Sequence, residues 1–320
     1  MSEYRACREA YATTLLELAK ADSSIIVISS DARGSCSLSN YVNELPQQYI
    51  EIGIAEQNEV GIAAGLARVG KKPFVCAPAC FLTARSFEQV KVDVAYSHQN
   101  VKILGVSGGI SYGALGASHH TLHDIASLRC IPDLMVILPC DAYQTEEVLK
   151  ALVDIPNAAY IRIGREKVPA VYDREQNISP FVLGKANTLT EGDDLTLVSC
   201  GELVHHTLEA AKLLKEQGIS ARVLDMATLK PFDEEAIIKA AKETKAIITI
   251  EEHSVNGGLG ATVGQIVSAN HPVFVKTLGL PDEYLVTGNS LELFAHYGLD
   301  ARGIAASAQE LFDYSSRSST

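Results

Sequence analysis

Short apolar runs alternate with longer amphipathic segments along the first half of the chain. Residues 5–20 have helical spacing, with Leu15, Leu18 and Ala19 able to share one face, and the apolar run 25–28 follows. The alternation then predicts helices over 56–69, 85–96 and after the capping residue Asp141, and strands at 74–76, 101–106, 134–138 and 159–161. Short apolar strands separated by helices indicate a mostly parallel sheet covered on both faces, whose ligands bind beyond the carboxyl ends of the strands.

A stretch whose apolar residues have neither helical nor strand spacing separates this half of the chain from the second half. Residues 168–190 contain Pro169, Pro180 and the polar run 173–177, and we predict a linker there. The second half repeats the pattern, with strands predicted at 195–199, 222–224, 246–250 and 273–275 and helices over 203–216, after 231–233 and near 263–268. The predicted fold class is α/β with two domains, 1–167 and 191–320, each a mostly parallel β-sheet covered by helices.

The composition is that of an ordinary folded protein with an acidic character. Hydrophobic residues make up 47% of the 320 residues, and the net charge is −12 with a pI near 5.2. Binding to nucleic acids or anionic membranes draws its affinity from clustered Lys and Arg, so no nucleic-acid or membrane partner is expected. We expect the partners to be small molecules and protein.

Cysteine spacing and the N-terminal residues give no sign of a secreted or membrane protein. The seven cysteines are scattered, odd in number and include no Cys-x-x-Cys pair, which disfavours a disulfide framework or a zinc site. No N-terminal segment combines a basic flank with an apolar core, and no run reaches the roughly 18 apolar residues of a membrane span. We therefore expect a cytoplasmic protein.

Three features at predicted strand ends are candidates for catalysis or ligand binding. Glu56 opens a helix, Phe81 and Phe87 form an aromatic pair, and the loop 107–123 is rich in glycine and contains three histidines. Each has an ordinary explanation by itself, because the helix dipole favours a carboxylate at a helix start, phenylalanines pack in cores and glycines form turns. The loop also lacks the lysine of a P-loop and the spacing of a dinucleotide-binding site.

The histidines are weak candidates for a metal site. His119 and His123 are four residues apart, but no third ligand is spaced to complete the site, so no metal ligands are predicted. The pair His205-His206 and the run Glu251-Glu252-His253 belong to the second domain. We expect them to be solvated or to lie at an interface, outside the catalytic set.

The candidate motifs become specific when they are taken together and in order. They are the segments 51–58 (Glu-Ile-Gly-Ile-Ala-Glu-Gln-Asn), 61–67, 81–89 and 118–120, continued by Asp124-Ile125-Ala126, Ile131-Pro132 and Pro139. This series resembles the pyrimidine-binding domain of transketolases and deoxyxylulose-phosphate synthases, and the second half resembles the family's C-terminal domain. The resemblance covers nearly the whole chain and implies the C-terminal half of a transketolase, present here as one subunit of a split two-subunit enzyme.

The resemblance implies roles for individual residues. Glu56 matches the catalytic glutamate that hydrogen-bonds the aminopyrimidine ring of thiamine diphosphate, and a carboxylate in an apolar site can hold a proton near neutral pH. The other implied cofactor contacts are Phe81, Phe87, Ile54 and Asp31. His119 is implied as a catalytic residue that contacts substrate oxygens, and the other implied substrate contacts are Arg8, Arg165, Ser107 and Leu115. The implied reaction moves a two-carbon ketol unit from a ketose to an aldehyde acceptor.

The family's diphosphate-binding motif is missing from the chain. In complete transketolases, Gly-Asp-Gly followed by Asn holds Mg²⁺ and the cofactor's diphosphate, whereas Gly192-Asp193-Asp194 lacks the second glycine and lies in the wrong domain. The resemblance therefore implies a separate diphosphate-binding α subunit that mainly holds the Mg²⁺, an α₂β₂ assembly, and no activity of this chain alone.

Two departures from the family bear on the substrate. The chain has Gly113-Ala114-Leu115-Gly116 where the family usually has Gly-Glu-Asp-Gly, and Ser107 where ordinary transketolases have a histidine. A site built around a substrate hydroxyl discriminates strongly by it, so loss of the aspartate predicts an atypical phosphorylated or sulfonated ketose, such as a branched or deoxy sugar. Three other functions stay open: the β subunit of a 2-oxoacid dehydrogenase, a deoxyxylulose-phosphate-synthase-like enzyme, and a non-catalytic scaffold subunit.

Overall fold

Strands and helices alternate along the chain in the computed structural model, which describes residues 4–174 and 179–317. The polar run predicted inside the linker falls partly on residues 175–178, which lie outside the described residues, as do the chain ends 1–3 and 318–320. None of the described helices is long and apolar enough to cross a bilayer.

The first unit is built from eight strands and seven helices of the described chain. The strands are β1 (Tyr4–Ala6), β2 (Ile25–Ser29), β3 (Tyr49–Glu51), β4 (Lys72–Pro78), β5 (Lys102–Val106), β6 (Met135–Ile137), β7 (Ala159–Ile163) and β8 (Lys167–Pro169). The helices are α1 (Cys7–Ala21), α2 (Ser39–Glu44), α3 (Glu56–Arg68), α4 (Ala79–Arg85), α5 (Phe87–Gln89), α6 (Asp124–Arg129) and α7 (Ala142–Leu152). Helix α5 continues as the π-helical segment Val90–Tyr96, and short 3₁₀ turns occur at Pro46–Gln48 and Gly113–Ser118.

Six of these strands form one parallel sheet in the order β3-β2-β4-β5-β7-β6. Strand β2 is buried throughout, and its residues alternate between two cores: Ile25 and Val27 pack in the core that contains residues of α1 and α7, while Ile26 and Ile28 pack in the core that contains residues of α3. The prediction of a mostly parallel sheet covered by helices is confirmed for this unit. Strands β1 and β8 form a separate antiparallel pair.

The second unit repeats this architecture. Its strands are β9 (Asn187–Thr190), β10 (Leu195–Ser199), β11 (Ala221–Asp225), β12 (Thr228–Lys230), β13 (Ala246–Ser254) and β14 (Phe274–Leu280). Its helices are α8 (Val204–Glu216), α9 (Glu234–Glu243), α10 (Leu259–Asn270), α11 (Ser290–His296) and α12 (Ala301–Arg317), with a 3₁₀ turn at Gly201–Leu203. The sheet order is β14-β13-β10-β11-β9, parallel except for the edge strand β9.

One strand of the second unit belongs to the sheet of the first. Strand β12 pairs antiparallel with β6, where Thr228 lies opposite Ile137, and so extends the first sheet to seven strands. The hydrophobic core between the sheets is also continuous, since Val136 and Tyr160 of the first unit share it with Met226 of the second. The predicted linker 168–190 contains β9 and most of β8. The predicted division into 1–167, 168–190 and 191–320 stays a prediction.

A buried ion pair lies at the junction of the units. Arg162 of β7 is 6% exposed, its Nε lies 3.5 Å from Asp124 Oδ2, and its Nη2 donates to the backbone oxygen of Glu252 at 2.8 Å. The Tyr160 hydroxyl donates to the same Asp124 oxygen at 2.6 Å. Because α6 and β7 belong to the first unit and Glu252 to β13, this cluster fixes the two units against each other.

Candidate functional site

The predicted site residues gather at one edge of the first sheet. Because the strands are parallel, the loops that leave their carboxyl ends all emerge on that edge. The residues that follow strand ends are Asp31 after β2, Ile54 and Glu56 after β3, Phe81 after β4, Ser107, Leu115 and His119 after β5, and Arg165 after β7. Arg8 joins them from α1, since its backbone N–H donates to the oxygen of Gly164.

Glu56 is the first residue of α3 and is 5% exposed. A carboxylate at a helix start is stabilised by the free N–H groups and the helix dipole. Arg85, the last residue of α4, donates from Nη1 to Glu56 Oε1 at 2.6 Å, while 46% of the Arg85 side-chain surface stays exposed. The carboxylate is therefore held in one orientation at the edge of the sheet.

Arg85 also begins a series of stacked side chains. Its guanidinium lies 4.1 Å from the centre of the Phe81 ring, at cation–π distance. The Phe81 ring meets the His119 ring edge to face, with centres 5.1 Å apart and planes at 70°. The structure thus brings Glu56, Phe81 and His119 into one connected cluster, although His119 comes from a loop far along the chain.

The series continues from His119 to Arg165 through Tyr112. The rings of Tyr112 and His119 meet edge to face at 5.5 Å, and the Arg165 guanidinium lies 4.7 Å from the centre of the Tyr112 ring. Arg165 Nη1 also donates to the Tyr112 hydroxyl at 3.3 Å. Arg8 is adjacent, because its Nε donates to the backbone oxygen of Arg165 at 3.1 Å. The Arg8 side chain therefore contacts the main chain of Arg165, the other arginine predicted to bind substrate.

Sequence reasoning missed Arg85 and Tyr112. Both lie inside candidate motifs of the sequence, Arg85 between the two phenylalanines of 81–89 and Tyr112 within the glycine-rich loop after β5. A cation flanked by aromatic residues and an aromatic residue among glycines, each after a predicted strand, are the signals that could have found them.

The loop after β5 is held in an unusual shape. Ser107 has a φ of 61° and is fully buried, and its hydroxyl has no hydrogen-bond partner among the described residues. Gly116 has a φ of 72°, which glycine tolerates best, and Leu115 next to it is 54% exposed. A hydrogen bond of 2.9 Å joins Ser118 Oγ and His119 Nδ1. Leu115 is thus accessible and His119 is partly exposed, whereas the Ser107 hydroxyl is enclosed.

Glu51 organises the loops after β2 and β3. Its Oε1 accepts from the backbone N–H groups of Asp31 at 2.7 Å and Gly53 at 2.9 Å, and its Oε2 accepts from the Tyr49 hydroxyl at 2.7 Å. Burial raises the pKa of Glu51, but these hydrogen bonds outweigh it and lower the pKa overall. Asp31, with a φ of 53°, is held at the exposed rim of the site.

Ile54 and Phe87 occupy different environments. Ile54 is 74% exposed, on the loop that precedes Glu56. Phe87 is partly buried and packs against the core between the sheets, and the described residues show no ring contact between Phe81 and Phe87. Their roles as cofactor contacts, which need no contact between the two rings, stay predictions.

A second carboxylate lies one helical turn behind Glu56. Glu59 is fully buried, its Oε1 accepts from the backbone N–H of Cys76 at 3.2 Å, and its Oε2 has no partner among the described residues. Burial raises the pKa of Glu59 to about 8. The region that the structure describes contains no group of three or more His, Cys, Asp or Glu side chains placed to hold a metal ion.

Comparison with known proteins finds two matching domains along the sequence. Residues 3–170 match the pyrimidine binding domain of transketolase, and residues 184–304 match the transketolase C-terminal domain. A protein of Phocaeicola vulgatus that is named as a subunit of apulose-4-phosphate transketolase is 59% identical over 305 residues, 95% of this chain and 97% of that protein.

Two further relatives are similar over nearly their whole length. A Clostridium protein named 6-deoxy-6-sulfo-D-fructose transketolase subunit is 36% identical over 95% of this chain and 94% of its own. A solved structure described as a split gene transketolase, inactive beta4 tetramer, has a TM-score of 0.88 and 39% identity and covers 96% of this chain and 98% of its own.

Proposed function

The chain belongs to the transketolase family, and we propose that it is the β subunit of a split, thiamine-diphosphate-dependent transketolase. One observation carries the proposal: Glu56, fixed by Arg85 at a helix start, lies in one cluster with Phe81 and His119 at the carboxyl edge of a parallel sheet. The similarity supports it too, because two proteins named as transketolase subunits each match 95% of this chain.

The residues present fit the pyrimidine half of thiamine diphosphate, on which the family depends. A buried carboxylate suits a ring that carries an amino group and ring nitrogens, and the neighbouring Phe81 ring and the exposed Ile54 offer apolar surfaces for its faces. When bound, thiamine diphosphate supplies the nucleophilic carbon that takes up a two-carbon unit. Glu56 would hold and exchange a proton with the pyrimidine ring, and Arg85 would keep its carboxylate oriented.

The substrate end of the proposed site contains His119, Arg8 and Arg165. The exposed edge of the His119 ring would donate to or accept from substrate oxygens, since Phe81 and Tyr112 fix its plane. Arg8, whose guanidinium contacts the backbone of Arg165, and the Arg165 guanidinium itself would bind a terminal phosphate, which accepts charge-assisted hydrogen bonds. Ser107 would line the same end, although its hydroxyl is enclosed in this chain.

We propose that a separate α subunit holds Mg²⁺ and the diphosphate and that the two subunits form an α₂β₂ assembly. The similarity to proteins that are named as transketolase subunits supports this. All seven cysteines are free thiols, which is typical of proteins from reducing compartments, and we propose a cytoplasmic location.

The relatives suggest the sugar. The relative at 59% identity is named for apulose 4-phosphate, and the one at 36% for 6-deoxy-6-sulfo-D-fructose. Both names denote ketoses other than xylulose 5-phosphate, as the altered loop around Leu115 predicts. We propose apulose 4-phosphate, a branched ketose, as the donor, because the more similar relative is named for it.

The activity test uses both subunits. The chain is coexpressed with a chain that carries Gly-Asp-Gly, and the purified complex is assayed with thiamine diphosphate, Mg²⁺ and pairs of ketoses and aldehydes. Glu56→Gln should lower kcat about 100-fold or more, as expected for loss of a proton-transfer group. The matched control is Glu17→Gln, an exposed carboxylate on α1, which should leave the rate unchanged.

Other outcomes would redirect the proposal. Loading of a lipoyl domain with pyruvate would identify a 2-oxoacid dehydrogenase subunit, and formation of deoxyxylulose phosphate from pyruvate would identify a synthase-like enzyme. An unchanged rate for Glu56→Gln in the assembled complex would remove Glu56 from the mechanism and favour a scaffold subunit.

The substrate proposal has its own test at Leu115. Leu115→Asp reintroduces the usual family residue and should shift the kcat/KM ratio of the complex from apulose 4-phosphate towards xylulose 5-phosphate by about tenfold. Leu115→Asn, similar in size but uncharged, serves as the control and should shift the ratio less. A wild-type complex that prefers xylulose 5-phosphate would contradict the proposed sugar. It would not contradict membership of the transketolase family.

A further inference from the structure

A second carboxyl group lies inside the first turn of the helix that begins at Glu56. Glu59 is three residues further along α3, which places the two carboxyl groups on the same face of the helix. Glu56 is 5% exposed, whereas Glu59 is fully buried. Glu59 falls between the segments 51–58 and 61–67 that carry the resemblance to transketolases, so that resemblance assigns it no role.

Glu59 connects three elements of the proposed site. Its Oε1 accepts from the backbone N–H of Cys76 at 3.2 Å, near the carboxyl end of β4. The hydroxyl of Ser30, the residue that follows β2, lies beside the same carboxyl group. Strand β4 leads into α4, which carries Phe81, and Ser30 precedes Asp31. Glu59 thus holds the first turn of α3 against the ends of two strands whose loops carry other implied cofactor contacts.

No positive charge balances this carboxyl group. Arg85 pairs with Glu56, but within the described ranges no Lys, Arg or His forms an ion pair with Glu59. Arg8 and Arg165 lower the pKa of the neighbouring Cys36 thiol, although burial raises it overall. The titratable groups around Glu59 and behind the adjacent thiols are Glu56 on α3, Glu51 and Tyr49 on β3, Cys76 on β4, Cys36 after β2, Tyr11 on α1 and Tyr41 on α2.

The Glu59 carboxyl group is therefore largely a neutral acid near pH 7. A buried carboxylate without a cation takes up a proton, because the charged form loses its hydration. Burial, helped by the charges of Glu56 and Glu51, raises the pKa of Glu59 to about 8, although hydrogen bonds from Ser30 and Cys76 oppose the shift. Glu59 Oε2 and Ser30 Oγ are both buried without a partner among the described residues. A proton on Oε2 lets the acid donate to the serine oxygen.

Ionisation of Glu59 would change both the charge and the shape of the site. A negative charge one helical turn from Glu56 raises the proton affinity of Glu56, since like charges repel each other. It also places an unpaired charge in the core, which favours separation of the helix start from the ends of β2 and β4. Both effects act on the carboxyl group to which the proposed function assigns proton exchange.

We propose that Glu59 is a positioning residue for the proposed reaction: as a neutral acid it joins the ends of β2 and β4 to the first turn of α3 and keeps a second negative charge away from Glu56. The assembled enzyme therefore loses activity as Glu59 ionises. The kinetic consequence rests on the proposed function. The protonation of Glu59 does not, because it is a property of this chain alone.

Infrared spectroscopy of the full chain tests the protonation state, because the C=O stretch of a protonated carboxyl group is separate from the bands of carboxylates. The difference between wild type and Glu59→Gln should contain this band at neutral pH, and the band should vanish as pH rises through about 8. Glu17→Gln, an exposed carboxylate on α1, should give no difference band. Ser30→Ala should shift the band, because it removes the neighbouring hydroxyl, and it serves as the test if Glu59→Gln does not fold.

The kinetic test uses the complex assembled with the α subunit. The ratio of wild-type kcat to Glu59→Gln kcat should fall about tenfold between about pH 6.5 and about pH 9.5, because glutamine keeps the shape of the neutral acid and cannot ionise. The ratio cancels the titration of every group that the two proteins share. A purely structural role for Glu59 would change kcat by the same factor at every pH. Wild type and Glu17→Gln should keep a constant ratio.

Three outcomes would overturn the proposal. The first is absence of the protonated band at neutral pH, which would mean that Glu59 is ionised in the folded chain. The second is a constant ratio of kcat values across the pH range in a complex that Glu56→Gln inactivates, which would leave the proposed function standing. The third is a complex that converts no ketose at any pH although the band is present, which would contradict the proposed function and, with it, the role of Glu59.

Discussion

Gly109 stands where the loop after β5 passes between Arg162 and Glu252. A Cβ on this residue would lie 2.2 Å from Glu252 Cδ and 2.4 Å from Arg162 Nη2, and the φ of +61° is itself unfavourable for other residues. Gly109→Ala should therefore lower the free energy of unfolding by about 2 kcal/mol or more, measured by urea denaturation.

Gly61→Ala is a control for which the free energy of unfolding should change in the opposite direction. Gly61 lies within α3, and a Cβ there would meet nothing within 4 Å. Gly61→Ala should raise the free energy of unfolding by roughly 0.5–1 kcal/mol, because alanine loses less backbone entropy in a helix. Equal effects at the two positions would show that crowding at Gly109 is unimportant.

Glu59 predicts a pH dependence of stability. Burial raises its pKa from the usual 4.5 to about 8, so between these values the folded protein keeps a proton that the unfolded chain releases. Stability from this group is present below pH 4.5 and is lost as pH rises through about 8. Glu59→Gln should be more stable than wild type at pH 9, by on the order of 4 kcal/mol, and much closer to wild type near pH 5.

Urea denaturation at several pH values measures this effect. The exposed Glu17→Gln should show no such change with pH. A Glu59→Gln variant that loses stability at every pH would mean that the carboxylate is charged and needed in the folded protein.

Tyr112 should act as a positioning residue for His119 and Arg165. Tyr112→Leu removes a ring that both neighbours contact and should lower kcat/KM of the assembled complex about tenfold, mainly through KM, since each aromatic contact contributes about 1 kcal/mol. Tyr112→Phe keeps the ring and should recover most of the activity. Equal losses in both variants would assign the effect to the hydroxyl instead.

At this scale the sequence placed Glu56, Phe81 and His119 near predicted strand ends, and the resemblance to transketolases implied that they belong to one site. It could not show that Arg85 pairs with Glu56 or that Tyr112 links His119 to Arg165. Those contacts depend on where loops of different strands meet, which local patterns do not encode.

At the scale of elements, Asp141 joins α7 to the chain that leaves β8. Its Oδ1 accepts from the N–H of Gln144 at 2.7 Å as a helix cap, and its Oδ2 accepts from Val171 at 2.8 Å and Tyr172 at 2.9 Å. Asp141→Ala should lower the free energy of unfolding by about 2–3 kcal/mol, because capping and two further buried N–H groups are lost together.

The control for Asp141 is Asp154→Ala. The Asp154 side chain is 80% exposed and its ion pair with Lys72 is on the surface, so the effect should stay within about 0.5 kcal/mol. Thermal and urea denaturation measure both variants. A small effect at Asp141 would mean that water replaces its three hydrogen bonds.

Predicted and observed helices and strands agree where the spacing of apolar residues is regular. The helix predicted over 5–20 is α1, Cys7–Ala21, and β10 occupies the five residues predicted for it. The predicted helix 85–96 is interrupted at Ser86, between α4 and α5. Helix α12 was not predicted, although its buried residues Ile304, Ala305 and Ala308 share one face.

At the scale of the whole molecule, Arg162 holds the two units together. Arg162→Ala would leave the Asp124 carboxylate buried without its cation and should lower the free energy of unfolding by about 3 kcal/mol or more. Arg302→Ala, an exposed arginine on α12, is the control and should have little effect. Normal stability of Arg162→Ala in urea would show that the contact at the junction contributes little.

The family, the two-unit architecture and membership in a split enzyme followed from the ordered motifs. The junction between the units did not, because it depends on contacts between distant segments, such as β6 with β12 and Arg162 with Glu252. The run Glu251-Glu252-His253, expected to be solvated or at an interface, lies at this junction and is not solvated. Glu251 and His253 are fully buried, and His253 Nε2 accepts from the Ala126 N–H at 3.3 Å across the junction.

Strand β12 has a consequence for how the protein is made. The first sheet is finished only when Thr228–Lys230 has been translated, well after the first unit has left the ribosome. Until then the edge of β6 presents unpaired N–H and C=O groups that a strand from another nascent chain can join. Slow synthesis of the segment between β6 and β12 should therefore favour strand-exchanged oligomers and make the yield of native protein depend on translation speed.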